Sequence, residues 1–497
     1  MRRFSQMMRT FVLMFTTLFS FSLFGAGHDL TTSPPSAYQL QPVVTGNSSG
    51  FTAAWMESEL SRHTLVSARV NAEGEPIEGG AAAIDQLYVQ SVAIAHSPSD
   101  TIIAWIADGN VFAKRQSASG LSIDTIALTS GKGVASDVAV AWNGTRYFVI
   151  WTNGSQLLGG SQLVGAFIAA DGSSTPPRAF FDEPFFSQLP PSKEFAVTPD
   201  IAWDGQHFVV VFGERPNFVC SVLCPVPNPD QFRVMRVSAD GDAIDGSPLV
   251  IAGSHLRAHV ASSGAESLIV FDGFRDVSTI IAHTDGGLTL DAETPMFRWF
   301  VDVSSAVVWD GAAYTVGWRY VGNVAGPSWL GAAHVTRSGL PFDYRVTATG
   351  SALPYGGTVS LGRPSIAVND AGITALAISE SAGPASVTRA RLYFASELAP
   401  MPAPPSAPRN VVSYFGGNMA RIDWQSDDAA AGFAIEAWST FDNTWYVYTT
   451  APGNARTINI YTSIGSLFRI RALGPGGVSE GTITSIGSMQ RRRAERR

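Results

Sequence analysis

Apolar runs in this chain come in pairs, separated by a short polar turn. Val138–Thr152 reads VAVAWNGTRYFVIWT, Asp200–Gly213 reads DIAWDGQHFVVVFG and Ala306–Tyr320 reads AVVWDGAAYTVGWRY. Each is an apolar strand, an Asn-Gly or Asp-Gly turn and a second apolar strand, the strongest short-range hairpin pattern. Weaker copies stand at Val43–Glu57, Val92–Ala107, His259–Asp272 and Ile366–Ser379, making seven in all. The strands are almost continuously apolar, as expected of strands buried on both faces.

A third strand follows each hairpin, at Leu65–Val70, Val111–Arg115, Val164–Ala169, Phe232–Val237, Thr279–Ala282, Leu330–Val335 and Val387–Phe394. In six copies a small-residue turn then ends in glycine, at Gly74, Gly120, Gly172, Gly241, Gly286 and Gly339. A fourth short segment leads into the next copy. Four antiparallel strands recurring every ~45–60 residues predict a β-propeller of seven blades. The last copy lacks its fourth strand, and His28–Thr32 precedes the first copy as Ile126–Thr129 precedes the third. We therefore expect the N-terminal segment to pair into the last blade, which removes two exposed sheet edges. The propeller is expected over residues 28–398.

Ala399–Pro408 is a proline-rich linker with few expected cross-contacts. Beyond it, residues 409–488 show strands at Arg421–Trp424, Phe433–Trp438, Trp445–Thr449 and Leu467–Ala472. That spacing suits a small β-sandwich with Trp424, Phe433 and Phe468 in its core, folding independently of the ring. The fold class is thus all-β. The tail, 489–497, is basic and expected to be disordered.

Residues 1–26 carry Arg2, Arg3 and Arg9, then an apolar run from Phe11 to Phe24, then Gly25 and Ala26. This is the order of a secretory signal peptide, so the mature protein is expected to be secreted or periplasmic, monomeric and without a membrane span. Hydrophobic residues are 45% of the 497 and charged ones 15%, which excludes a disordered chain. A net charge of −8 is a poor match for phosphate backbones, so nucleic acid is not an expected partner. Cys220 and Cys224, the only two cysteines, share one loop. In an oxidising compartment they are expected to form a local disulfide.

Two resemblances stand on these residues. Ala141-Trp142-Asn143-Gly144, Ala202-Trp203-Asp204-Gly205 and Val308-Trp309-Asp310-Gly311 resemble the repeats of exported bacterial β-propeller proteins. Pro408-Arg409-Asn410-Val411, Trp424 and Phe468-Arg469-Ile470-Arg471-Ala472 resemble a fibronectin type III domain, with about Ser466 where that family usually has a tyrosine. The first resemblance implies a fold and is nearly silent on activity. The second implies a spacer or binder in extracellular, often polysaccharide-directed, proteins.

No catalytic constellation stands out, and no metal or cofactor is expected. A sialidase Asp-box is approached only by His283–Leu290, which keeps Asp285, Gly287 and Thr289 and lacks the leading hydroxyl and final Trp. Glu57, Asp108, Glu214, Asp272 and Glu380 recur at or just past the ends of second strands. They either form an acidic mouth, as a polysaccharide hydrolase or lyase would need, or end strands because carboxylates are soluble; the second reading is preferred. His255 and His259 lie on a strand, where four residues span about 13 Å, too far for one metal. The Trp series Trp55, Trp105, Trp142, Trp151, Trp203, Trp309 and Trp318 reads as core packing. The face of the long, variable loops also collects Glu214, Arg215, Arg275, Arg319, Tyr320 and Trp329, the candidate residues for binding a glycan or protein ligand.

Overall fold

The computed structural model describes residues 27–31, 37–59, 62–77, 82–85, 88–131, 133–154, 161–182, 194–216, 231–253, 255–264, 266–273, 276–298, 303–321, 328–349, 363–380, 388–416, 419–426, 430–440, 444–462 and 466–486. Residues 1–26, expected to be a signal peptide, lie outside them, as do Cys220, Cys224, Arg275 and the basic tail. So do the side chains of Glu214, Arg215 and Tyr320, whose backbones are in strands.

Among the described residues, seven antiparallel sheets precede residue 400. Numbered in chain order, their inner strands are Tyr38–Asn47, Val89–His96, Ala135–Trp142, Glu194–Trp203, His255–Ser262, Val303–Trp309 and Ser365–Val368. Each inner strand touches the inner strands of the sheets before and after it, and the seventh touches the first. The sheets thus form a ring, the arrangement of a β-propeller.

The turn chemistry explains why the repeat folds this way. In the first hairpin of sheet 3, Asn143 Oδ1 accepts from the N–H groups of Thr145 (3.0 Å) and Arg146 (2.8 Å). Asp204, Asp310 and Asn369 do the same in sheets 4, 6 and 7. Where the copy is weaker, in sheet 2, Ser97 Oγ accepts from Ser99 and Asp100 instead. The side chain closes the turn in each case, so the hairpin survives loss of the Asn-Gly pair. At the third-to-fourth-strand turns all six predicted glycines are left-handed, with φ between 72° and 89°. Arginines from third strands then bind one sheet to the next. Arg115 donates to the carbonyl of Ala170 just ahead of the Gly172 turn, and Arg236 donates to that of Thr284 ahead of Gly286 (2.9 Å).

Packing follows the apolar pairs. Of the Trp series, Trp55, Trp105, Trp151 and Trp318 are fully buried, while Trp142, Trp203 and Trp309 are half-buried and pack against the core clusters. The seventh sheet takes its outer strand from the N-terminus. His28 pairs with Leu392 and Asp29 with Arg391, and Leu30 is buried against Phe51 and Phe394.

The last two sheets form a separate sandwich. One is Arg409–Gly416, Met419–Gln425 and Thr457–Tyr461; the other orders Thr444–Pro452, Gly432–Ser439 and Leu467–Gly474, with Thr482–Ser485 and Gly477–Val478 both on the last. Trp424, Phe433 and Phe468 are buried together between them, as expected.

The connection to the ring differs from the expectation of a bare spacer. Ala399 and Pro400 pair with the outer strand of sheet 6, Pro341–Thr349, and Met401 N–H donates to Tyr344 O at 2.8 Å. Ala434 and Leu473, on the outer face of the sandwich, join Met296, Trp318, Trp329 and Val346 in one buried cluster. Proline content revealed an extended segment but not the apolar face on which it runs. The sandwich is docked to the ring.

Candidate functional site

An inner strand has a hydrogen-bonded neighbour on one side only. Its other edge leaves N–H groups facing a neighbouring sheet, and buried ones need acceptors. Side chains of the preceding sheet supply them. Ser91 Oγ accepts from Val138 N–H (3.2 Å), Asp137 Oδ2 from Thr198 N–H (3.5 Å), and Asp200 Oδ2 from Val260 N–H (3.0 Å). Asp272 Oδ1 takes the N–H (2.8 Å) and the hydroxyl (2.5 Å) of Ser305, and Ser365 Oγ accepts from Val44 N–H (3.1 Å). Five of the seams between sheets are latched in this way among the described residues. Bulges accompany them, between Leu40 and Val43, Val89 and Ser91, Ser136 and Val138, Val197 and Asp200, and His255 and Arg257. Gln41, Asp137 and Thr198 sit in left-handed backbone at the bulges, with φ of 49°, 46° and 47°. Bulges re-aim side chains, here toward the ring axis.

All seven inner strands line one central cavity of about 340 Å³, within the size range of small-ligand sites. Its walls are backbone and small apolar side chains such as Val43, Ala93, Ala139 and Val307. Six of its polar groups fall at one level. Gln41, Ser91, Asp137, Thr198, Arg257 and Arg363 line it, each six residues ahead of the residue that begins the first hairpin turn. Ser304 holds the same place in sheet 6. These positions lie toward the start of the inner strands, the face of the second-to-third-strand loops. Slightly deeper are Asp200 and His259, 3.4 Å apart, and Ser365.

Electrostatically the cavity is uneven. Asp137 and Asp200 come from sheets 3 and 4, whereas Arg257, His259 and Arg363 come from sheets 5 and 7. These three all act through space on Asp272, which is 1% exposed. Burial pushes the Asp272 carboxyl above the usual carboxylate range, against the pull of His259, the Ser305 bond, Arg257 and Arg363.

The residues expected to bind ligand are arranged otherwise. Arg319 and Trp329 are 3% and 5% exposed. Arg319 donates to Ser379 O across the seam between sheets 6 and 7, and Trp329 packs in the cluster beneath the sandwich. Both sit buried within strands (Tyr314–Val321 and Ser328–Val335), which corrects the expectation that they are exposed binding groups. Three of the strand-end carboxylates are engaged within the fold, Asp272 by Ser305 as above. Glu57 accepts from Gln39 (3.0 Å) and Trp55 (3.2 Å), and Glu380 from Arg391 (2.8 Å) and Tyr393 (2.8 Å). His255 stacks on Phe271 while His259 faces Asp200, so the pair does not converge. Among the described residues no group of three or more His, Cys, Asp or Glu side chains could hold a metal, and no helix is long and apolar enough to cross a membrane.

No family model matches this chain, and no curated protein matches it. Solved structures do overlap it loosely. A functionally unknown protein from Desulfotomaculum acetoxidans aligns at 12% identity and TM-score 0.40, over 69% of this chain and 94% of its own. The Dos1 propeller aligns at 10% identity and TM-score 0.38, over 75% and 95%. A Trypanosoma rangeli sialidase, in complex with difluorosialic acid, aligns at 10% identity and TM-score 0.39, over 84% and 85%. Likenesses this loose carry no chemistry to this chain, whose site rests on its own geometry.

Proposed function

We propose that this chain is an exported binding protein, extracellular or periplasmic, built as a seven-bladed β-propeller with a docked fibronectin type III-like domain. Its ligand is a glycan or protein group that enters the central cavity from the long-loop face. The strand order supports the architecture, since seven inner strands follow one another in a cycle. The sandwich sheets, three strands facing a larger sheet, fit the fibronectin type III order.

One observation carries the binding reading. The cavity gathers polar side chains at a single level from strands of a closed ring, so its groups are held in place before a ligand arrives. Its carboxylates are meanwhile engaged in holding neighbouring strands. A glycan array and a secreted-protein binding panel, run with the wild type and Thr198→Trp, test this. Thr198 is already β-branched in left-handed backbone, so the replacement adds bulk at the cavity without a new kind of strain. Ligands captured by the wild type should be lost by the variant at unchanged melting temperature. Capture undiminished in Thr198→Trp, or turnover of a captured glycan, would overturn the reading.

A further inference from the structure

Position by position, the polar ring shows two arginines where an acceptor would serve the fold better. In sheets 2 and 3 the ring residue is itself the latch, Ser91 and Asp137 accepting from the next sheet. Arginine has no acceptor and cannot do this. In sheets 4, 5 and 7, where the ring residues are Thr198, Arg257 and Arg363, the acceptor comes from elsewhere, Asp200, Asp272 and Ser365. The fold thus supplies separate latches at the two sites occupied by arginine.

The two arginines stand on either side of Ser304 in ring order, and both line the cavity or its rim with His259 close by. Both therefore border the same space of about 340 Å³. Guanidinium groups bind planar oxyanions with paired N–H donors, and do so more strongly where water is restricted. Resting on the proposed binding function, we infer that the cavity takes a small oxyanion-bearing molecule, its carboxylate or phosphate held between Arg257 and Arg363 and its hydroxyls facing the Gln41–Thr198 side.

Calorimetric titration of the full chain with D-glucuronate, D-glucose 6-phosphate and D-glucose tests it. The two acids should bind, either one alone identifying which oxyanion is taken, and D-glucose should bind at least tenfold more weakly. Affinity for the acid should fall at least tenfold in Arg363→Gln and in Arg257→Gln, and partly return in Arg363→Lys. It should also fall as salt rises. A melting curve of each unliganded variant separates lost binding from lost fold. Equal binding of glucose and the acids, blocked by Thr198→Trp, would overturn the anion inference and leave the binding site standing. No binding of any of the three would overturn the inference. Acid binding unchanged in the Arg257→Gln, Arg363→Gln double variant would overturn it as well.

Discussion

Replacing Leu30 tests whether the N-terminal strand holds the ring closed. Leu30 is 1% exposed and packs with Phe51, Trp55, Leu392 and Phe394 from both sheets that meet at the closure. Truncation to alanine loses the transfer energy of a fully buried aliphatic side chain, about 2 kcal/mol, plus a cavity term. Because the pairing strand is only His28–Asp29, the site can partly collapse, and about 3 kcal/mol is expected in total. Its neighbour Asp29 forms ion pairs with Arg389 (3.4 Å) and Arg391 (3.2 Å), yet its side chain is 42% exposed. Solvent screening keeps Asp29→Ala below about 1 kcal/mol. Urea unfolding followed by tryptophan fluorescence reads both, with Trp55 buried in the same cluster as a local reporter. Leu30→Ala should lower the midpoint clearly more than Asp29→Ala. The reverse order, or a Leu30→Ala midpoint equal to wild type, would refute closure by this strand.

Other expectations follow from burial and latching. Asp272→Asn keeps an acceptor for Ser305 and removes a buried charge. Because the folded carboxyl is raised above its unfolded value, the wild type loses stability as pH rises past about 4, the unfolded range. The advantage of Asp272→Asn over wild type should therefore grow above that pH and vanish well below it; the opposite slope in pH-dependent melting would show a carboxylate stabilised by its cations. Asp272→Ala, which strands the Ser305 donors, should cost about 1–3 kcal/mol even in acid. Leu473→Asp places a charge in the cluster shared by ring and sandwich, and should release the sandwich to unfold in its own transition by calorimetry; one unchanged transition would count against docking. Cys220 and Cys224 should resist alkylation until reductant is added, and immediate labelling would show free thiols.

How far the sequence could be read depended on what each residue answers to. Hairpins and glycine turns were legible because they answer to neighbours within a few positions. Asn143, Asp204 and Asp310 act on the next two or three amides, and the six turn glycines act through their own φ. The closing strand was legible because the last copy was one strand short. The site was not, because the apolar runs that define the repeat begin one to three residues past the polar ring. A search for a polar residue six places ahead of each hairpin turn would have found Gln41, Ser91, Asp137, Thr198, Arg257, Ser304 and Arg363 together. Arg319 and Trp329 misled because charge and aromaticity look like recognition when their partners lie far along the chain, Arg319 reaching Ser379 and Trp329 clustering with Leu473. Asp272 was noticed as one of five strand-end acids, but its partner Ser305 sits in the next repeat, out of reach of any local pattern.

The double duty of the ring position also decides which substitutions can report on function. Asp137 and Asp200 are the acids nearest the cavity, and a hydrolytic reading would choose them first. Each also accepts a backbone N–H from the neighbouring sheet, so removing either opens a seam and leaves a buried donor without its partner. Lost binding or lost activity in Asp137→Ala or Asp200→Ala would therefore report the ring as much as the site. Arg257, Arg363 and Gln41 line the same cavity, and the seam acceptors beside the arginines are Asp272 and Ser365. Their replacement changes what the cavity presents without removing a seam acceptor. A ligand effect seen at these three positions and absent at Ser365→Ala, which loosens a seam without touching a charge, would separate recognition from scaffolding within one cavity.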